Sequence, residues 1–317
     1  MFAAPTPNDP LRLGTRRSPL AMAQAQETRA RLCAAHGWPA DAVALVPVIA
    51  SGDKIQDRTL AEMGGKALWT RELDAWLVEG RIDAAVHSLK DVETVRPGEI
   101  AIAAVLERAD PADVLLGARS IAALPQGARV GTSAPRRAAQ LRHLRSDCEA
   151  VLFRGNVATR MAKLAAGEVD ATFLAAAGLQ RLGEAGVGTR LDPADWLPAP
   201  SQAAIGIECR ADDSATRQWL AAINHAASLA EVLAERTLLA ALGGSCHSAI
   251  ACLSRWEGGD LRLTAAVFSL DGADRVEGDA RFAPGEPAGP ENLAAELLAR
   301  APMSVRATFQ PPADRLA

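Results

Sequence analysis

The residues best suited to chemistry lie in one short turn. Ser88, Lys90 and Asp91 follow a mostly apolar run, residues 82–86, that predicts a short buried strand. A hydroxyl, an ammonium and a carboxylate would then emerge together at the carboxyl end of a strand, where ligands bind in open α/β sheets. The pattern predicts an anion-binding pair beside a candidate acid. The alternative is a solvated Lys-Asp turn with no function.

A second candidate anion site lies near the start of the chain. Ser18 and Pro19 are typical of an N-cap and a first helical residue, and Arg16 lies just outside that helix start. Helix N-termini attract anions through their free N–H groups and the macrodipole. Arg16 and Ser18, with Gln24 farther along the helix, could therefore hold a carboxylate. An ordinary cap beside a solvated arginine is the alternative.

Cationic side chains recur at later junctions between predicted strands and helices. Lys66 follows two glycines, without the spacing of a P-loop. Arg136 and Arg137, after the hydroxyls of Thr132 and Ser133, open a helix whose macrodipole prefers anions, a conflict that a bound anion would offset. The later cations are Arg154, Arg160 and Arg181. Because arginine forms a planar fork that matches carboxylates and phosphates, the set predicts a cleft for several such groups.

Cys246 is the best candidate for a reactive thiol, because it follows Gly243, Gly244 and Ser245 on a glycine-rich loop. The other four cysteines lie in predicted strands or helices and are expected to be small buried residues. An odd count without paired spacing argues against disulfides and against a metal site. A loop cysteine without a role is the alternative.

The order of predicted elements indicates an α/β protein of three domains. A first unit covers residues 11–108 and regains residues 203–224 through a returning strand near residue 205. A second unit, residues 109–202, repeats the same alternation and carries an arginine-rich part of the predicted cleft. Residues 225–317 predict a small α+β domain with a hairpin at Asp271-Gly272. A hinge is expected at residues 107–111.

Composition excludes several classes of protein. With 317 residues, 49% of them hydrophobic, the chain can bury sizeable cores, and its net charge of −4 argues against a nucleic-acid or membrane surface. No apolar run approaches the roughly 20 residues that span a bilayer, and residues 1–10 do not read as a signal peptide. We expect a cytoplasmic monomer with a small-molecule substrate.

An ordered set of motifs resembles the porphobilinogen deaminase (hydroxymethylbilane synthase) family over residues 11–310. The motifs are LGTRRSPLA (13–21), GGK (64–66), VHSLKD (86–91), GTS (131–133) before Arg136 and Arg137, RGNV (154–157), LAAAGL (174–179), GIECR (206–210), AER (234–236) and Cys246. No single motif is specific, but their order and spacing are.

The resemblance implies two lobes similar to those of periplasmic binding proteins and a third domain carrying a cofactor. The cofactor would be a dipyrromethane joined by a thioether to Cys246, onto which four porphobilinogen units are added with loss of ammonia. Asp91 would be the catalytic carboxylate. Residues matching positions that hold the cofactor are Ser88, Lys90, Asp91, Thr132, Ser133, Arg136, Arg137 and Arg154. Residues matching positions that hold the substrate are Arg16, Ser18, Gln24, Lys66, Arg154, Arg160 and Arg181.

Several positions depart from the family pattern. Ala134 and Pro135 replace a hydroxyl and an aliphatic residue, and Ser201 and Ala203 replace glycines. Glu62 stands where relatives often have lysine, and the loop around Cys246 also differs. These changes affect the expected geometry of the cleft and of the cofactor loop.

Two other classes of function remain open from the residues. The two-lobed architecture also serves binding proteins that hold an anion without chemistry. A cysteine hydrolase using Cys246 and His247 is the second alternative, although no third residue to orient the histidine is identifiable.

Overall fold

The computed structural model describes residues 2–48, 70–184, 186–245 and 247–309. Lys66, Cys246 and Glu62 lie outside the described residues. Three separate sheets organise the described part of the chain, which confirms the expected α/β fold with a distinct C-terminal unit. Within those ranges, no helix is long and apolar enough to cross a membrane.

The first sheet contains five strands. They are β1 (Leu11–Arg16), β2 (Val43–Val48), β3 (Ala84–Ser88), β4 (Ile100–Val105) and β10 (Ile205–Arg210). Their spatial order is β2, β1, β3, β10, β4, and β10 runs antiparallel to both of its neighbours. The predicted return of a strand near residue 205 to this sheet is confirmed. Its helices are α1 (Pro19–His36), α2 (Arg71–Val78) and α6 (Ser214–Ala221).

The second sheet also contains five strands. They are β5 (Asp113–Leu116), β6 (Arg129–Gly131), β7 (Glu149–Val151), β8 (Ala171–Ala175) and β9 (Thr189–Arg190), in the spatial order β7, β6, β8, β5, β9. Its helices are α3 (Pro135–Leu144), α4 (Val157–Ala165) and α5 (Ala176–Arg181). The sequence patterns did not predict β5, whose apolar run opens with the charged Asp113.

The third sheet is an antiparallel meander of β11 (Ile250–Glu257), β12 (Asp260–Phe268) and β13 (Arg275–Phe282). It packs against α7 (Ala226–Ala241) and α8 (Ala288–Arg300), and α9 (Met303–Arg306) follows. The hairpin predicted at Asp271-Gly272 is confirmed, with Gly272 at a φ of 78°. A Cβ on Gly272 would lie 2.6 Å from the Ala139 carbonyl oxygen, so the hairpin tip packs directly on α3.

The start of α1 follows directly from its sequence. The Ser18 hydroxyl accepts a hydrogen bond from the Ala21 N–H at 3.3 Å, and Pro19 occupies the first helical position. Leu32 on this helix packs with Leu13 of β1 and Ile205 of β10 in the core of the first sheet. Each fully buried side chain of this size stabilises the fold by about 1.5–3 kcal/mol. The core therefore fixes the position of the helix N-terminus beside the strand ends.

The turn after β3 is placed by a contact with a glycine. Leu89–Asp91 forms a single 3₁₀ turn, and Leu89 is completely buried. A Cβ on Gly206 of β10 would lie 2.3 Å from Leu89 Cδ2, so only glycine admits this packing. The Leu89 N–H also donates to the Ala204 carbonyl at 3.1 Å. Leu89 thus anchors the turn, and Ser88, Lys90 and Asp91 project from it.

Two segments, residues 106–112 and 191–204, connect the first sheet to the second. The second segment holds the only non-glycine residues with positive φ in the described ranges, Ser201 (60°) and Ala203 (71°). The Ser201 hydroxyl is also buried without a hydrogen-bond partner among the described residues. Family glycines would adopt this backbone without strain, since they lack a Cβ.

We therefore expect Ser201→Gly and Ala203→Gly to stabilise the protein. Relief of left-handed backbone strain should raise the free energy of unfolding by about 1 kcal/mol for each change. Urea unfolding followed by circular dichroism measures this effect. Ala199→Gly, in the same segment but without a positive φ, is the control and should cost about 0.4–1 kcal/mol. Equal losses at all three positions would show that the connection is not strained.

Candidate active site

One pocket gathers five of the residues predicted to bind ligand or to catalyse. Arg16, Ser18 and Gln24 line it from the β1–α1 side, and Ser88 and Asp91 line it from the end of β3. The buried Gln24 side chain and the Ser88 hydroxyl are 2.8 Å apart, from Nε2 to Oγ. The two anion sites predicted separately from the sequence therefore form one site, because parallel β1 and β3 are neighbours.

Arg136 and Arg137 converge on a buried carboxylate that sequence reasoning missed. Arg137 Nη2 and Nε donate to Asp113 at 2.6 and 3.1 Å, and Arg136 Nη2 donates at 2.8 Å. The indole of Trp196 and the side-chain amide of Gln202 also donate to Asp113, at 2.9 and 2.8 Å. All five side chains are at most 6% exposed.

This arrangement corrects the expectation that a bound ligand must offset the two arginines at the start of α3. Asp113 is the anion that does so, because its carboxylate lies against both guanidinium groups. Burial alone would raise the pKa of Asp113, but Arg136 and Arg137 hold that pKa well below its usual range. Some N–H donors of each guanidinium group are therefore used in hydrogen bonds to Asp113. The buried Nε of Arg136 has no acceptor among the described residues, so donor capacity remains.

Lys90 faces these arginines from the first sheet. Burial lowers the pKa of Lys90 to about 8, with Asp91 opposing the shift and Arg137 and Arg136 adding to it. These electrostatic interactions place the end of β3 opposite the start of α3. Lys90 therefore lies between two carboxylates, Asp91 and Asp113, and two guanidinium groups, and its burial outweighs the stabilising effect of the carboxylates.

Arg154 and Arg160 complete the same cluster. Burial lowers the pKa of Arg160 to about 10, repulsion from Arg137 and Arg154 lowers it further, and Asp91 opposes the change. Arg160 donates from Nε to the Gly155 carbonyl at 3.0 Å, and Arg154 is only 9% exposed. We use "cation cluster" for the group Lys90, Arg136, Arg137, Arg154 and Arg160.

Four members of the cluster, Lys90, Arg136, Arg137 and Arg160, share the two carboxylates of Asp91 and Asp113. Three of these four cations have lowered pKa values. In a region of low dielectric, such an excess is costly unless an anion binds there. The geometry therefore suits a ligand with several carboxylates, positioned against Asp91.

The predicted hydroxyls take structural roles. Ser133 Oγ donates to the Phe153 carbonyl at 2.8 Å, and Thr132 Oγ1 accepts from the Ala134 N–H at 3.1 Å. Ala134 is the residue before α3 and supplies no side-chain cap, so the first turn of α3 has no capping hydroxyl. Both side chains hold the backbone at the start of α3.

Arg181 lies apart from the cation cluster, at the contact between α5 and α1. Its Nε is 3.5 Å from Glu27 Oε2, and its Nη2 donates to the Ala203 carbonyl at 3.1 Å. Burial lowers the pKa of Arg181, and Glu27 opposes this. The structure thus gives Arg181 protein partners of its own.

The loop around Cys246 is described only on either side of that residue. Ser248 Oγ accepts from the Ser245 N–H at 3.0 Å, and burial lowers the pKa of His247. No described residue hydrogen-bonds the His247 ring, so the structure offers no orienting partner for a hydrolase dyad. Burial raises the pKa of the Cys148, Cys209 and Cys252 thiols, which disfavours their thiolates.

No group of three or more His, Cys, Asp or Glu side chains in the described ranges has the arrangement of a metal site. The functional residues that the sequence did not reveal are Asp113, Trp196 and Gln202. The sequence did contain a signal for Asp113, because a charged residue directly before the apolar run 114–116 is unusual in a buried strand.

Comparisons with known proteins identify the family of the chain. Residues 11–218 match the family model of the dipyromethane cofactor binding domain of porphobilinogen deaminase, and residues 229–301 match that of its C-terminal domain. The porphobilinogen deaminase of Sphingopyxis alaskensis is 58% identical over 310 residues, covering 96% of this chain and 98% of that protein. The porphobilinogen deaminase of Paracoccus denitrificans is 47% identical over 95% of this chain and 98% of its own length.

Among solved structures, the VFT2 domain of Bordetella pertussis BvgS is 15% identical, with a TM-score of 0.40 over 67% of this chain and 85% of that one. A periplasmic sulfonate-binding protein of Methylobacillus flagellatus is 16% identical, with a TM-score of 0.38 over 74% of this chain and 67% of that one. Fold and site together define an α/β protein of three sheets with a cation-rich pocket. The chain belongs to the porphobilinogen deaminase family.

A test of the buried charge follows from the contacts of Asp113. We expect Asp113→Asn to lower the free energy of unfolding at pH 7 by about 3–5 kcal/mol, since two buried arginines lose their counter-charge. Asp279→Asn, which breaks the exposed Arg262–Asp279 pair, should cost less than about 1 kcal/mol. Denaturant unfolding of both variants measures the difference.

The pH dependence of that difference has a defined sign. Because the folded-state pKa of Asp113 is lowered, its stabilising effect is present above the unfolded pKa of about 4 and is lost as the pH falls below it. The gap in stability between wild type and Asp113→Asn should therefore narrow below about pH 4. A gap that stays constant down to pH 3 would contradict this assignment.

Proposed function

We propose that the chain is a hydroxymethylbilane synthase of tetrapyrrole biosynthesis. This transferase joins four porphobilinogen units in sequence, with loss of ammonia from each, onto a dipyrromethane primer, and hydrolysis then releases linear hydroxymethylbilane. The observation that carries the proposal is the group of cations around Asp91 and Asp113, of which Arg136 and Arg137 are buried and Lys90 and Arg160 are half-buried. Each pyrrole unit brings two carboxylates, so the growing chain needs such a set of cations.

The family resemblance divides the cations between cofactor and substrate. The carboxylates of the dipyrromethane would be held by Lys90, Arg136, Arg137 and Arg154. The hydroxyl groups that belong to the same cofactor site are those of Ser88, Thr132 and Ser133. Residues proposed to hold the incoming porphobilinogen are Arg16, Ser18, Gln24, Lys66, Arg154, Arg160 and Arg181. Arg16, Ser18 and Gln24 support this division, because they share a pocket with Asp91.

Asp91 is the proposed catalytic residue. Loss of ammonia from the substrate leaves an electron-poor azafulvene-like cation, which an adjacent carboxylate stabilises electrostatically. The same carboxylate can transfer a proton during deamination. Asp91 lies on a 3₁₀ turn that the buried Leu89 anchors through its N–H bond to the Ala204 carbonyl.

The residues present fit a dipyrromethane as the cofactor. The Nε of Arg136 is a donor without an acceptor among the described residues, and an anion beside Lys90 would stabilise its ammonium form. When bound, the dipyrromethane supplies the nucleophilic pyrrole carbon to which the substrate is joined. Cys246 is the proposed attachment point, because it matches the family's cofactor-bearing cysteine on the glycine-rich loop and a deprotonated thiol is a strong nucleophile.

The three sheets support a division into three domains. The first domain would comprise residues 11–108 and 203–224, the second 109–202 and the third 225–317, with the connections at residues 106–112 and 191–204 as hinges. The protein would act as a cytoplasmic monomer, independent of nucleic acid and membranes.

Replacement of Asp91 by asparagine tests the catalytic role. Asp91→Asn should lower kcat for porphobilinogen consumption by about 10²–10⁴-fold, since it removes the carboxylate but keeps its shape. Substrate affinity should change little, because the cations that bind carboxylates remain. Single-turnover kinetics separates the two effects. The exposed Asp195→Asn is the matched control, and near-normal turnover of Asp91→Asn would remove Asp91 from the mechanism.

A further inference from the structure

Residues 92–96 follow Asp91 and are hydrogen-bonded to the unit that contains the third sheet. We call them the strap. The buried guanidinium of Arg236, on α7, donates to three successive strap carbonyls, those of Val92, Glu93 and Thr94. Thr94 Oγ1 donates to the Gly244 carbonyl at 3.0 Å. Gly244 lies two residues before Cys246, so the strap contacts the glycine loop directly.

The other side of the strap is fixed to the first sheet. Arg96 donates through Nε and Nη2 to both carboxylate oxygens of the fully buried Glu208 of β10, at 2.8 and 2.9 Å. It also pairs with Asp74 of α2 and with Glu93, at 2.5 and 2.7 Å. Glu93 accepts from Thr70 Oγ1 at 2.7 Å. The strap is therefore held at both ends by charge-assisted hydrogen bonds, which are the stronger kind.

We propose that Thr94 and Arg236 are positioning residues that set the glycine loop at a fixed place relative to Asp91. The inference rests on the proposed function, in which Asp91 is catalytic and the loop carries the cofactor. Neither residue lines the Asp91 pocket, so each acts through the strap. A small displacement of reacting groups is costly to rate, and a rigid support prevents it.

The contacts of the strap are suited to this task because few residues separate them from Asp91 and from Cys246. Only two residues separate Asp91 from Thr94, and one residue separates Gly244 from Cys246. The loop has further internal support, since the Gly244 N–H donates to the Leu239 carbonyl at 2.8 Å. Thr94 and Arg236 thus complete a continuous path of hydrogen bonds from the catalytic turn to the loop.

Thr94→Val tests the inference with the least disturbance, because valine keeps the side-chain shape and removes only the hydroxyl. In the holoenzyme we expect kcat to fall about fivefold, the equivalent of one hydrogen bond of about 1 kcal/mol, and KM to stay within about twofold. Amide exchange of the peptide covering residues 243–248 should accelerate about fivefold as well.

Thr189→Val is the matched control. The Thr189 hydroxyl donates to the Ala118 carbonyl at 3.4 Å, joining two segments of the second sheet's unit away from the loop. It should change neither kcat nor loop exchange. If Thr94→Val matches Thr189→Val in either measurement, the positioning role is wrong, because loosening of the loop and loss of rate must occur together.

Arg236→Lys is a second test, with Arg145→Lys as its control. Arg145 also donates to several backbone carbonyls, among them those of Ile121 and Leu124, but in the second sheet's unit. Arg236→Lys should lower kcat more than tenfold and lower the fraction of purified protein that carries covalent cofactor, measured by intact mass. Arg145→Lys should leave both unchanged, and equal behaviour of the two variants would overturn the inference.

Failure of this inference can be distinguished from failure of the proposed function. If Asp91→Asn loses turnover while Thr94→Val behaves as its control, only the role of the strap is wrong. If Asp91→Asn turns over normally, the catalytic role of Asp91 is wrong, whatever the Thr94 variant does.

Discussion

The carboxylate of Asp113 is the interaction on which the site depends. It lies fully buried between Arg136 and Arg137, so the second sheet can present two guanidinium groups at the start of α3 without unfolding under their repulsion. The amide of Gln202 donates to the same carboxylate and to the Pro111 carbonyl, which ties both connections between the sheets to this point. A structural ion pair thereby sets the spacing of a functional cation cluster.

The other features of the site follow from the positive charge that Asp113 does not neutralise. Lys90 and Arg160 approach from different sheets, and both have lowered pKa values because they are buried among other cations. Asp91 is the carboxylate left between them. A polycarboxylate ligand would relieve the repulsion among these cations, and the cations would hold it beside Asp91.

Local signals in the sequence predicted much of this arrangement. Ser18 and Pro19 predicted the start of α1, the apolar run near residue 205 predicted the returning strand, and Asp271-Gly272 predicted the hairpin. The partnership of Asp113 with Arg136 and Arg137 could not be predicted, because it joins residues more than 20 positions apart across a strand that the patterns missed. Likewise, only the tertiary structure shows that Arg181 is held by Glu27.

The central claim is that this chain builds tetrapyrrole on a primer bound to Cys246. The most direct test is the intact mass of the purified protein, with peptide mapping around Cys246 and a colour reaction with Ehrlich's reagent for pyrroles. The account predicts a mass excess of two linked pyrrole units, confined to the peptide that contains Cys246. An unmodified thiol that stays unmodified after incubation with porphobilinogen would contradict it.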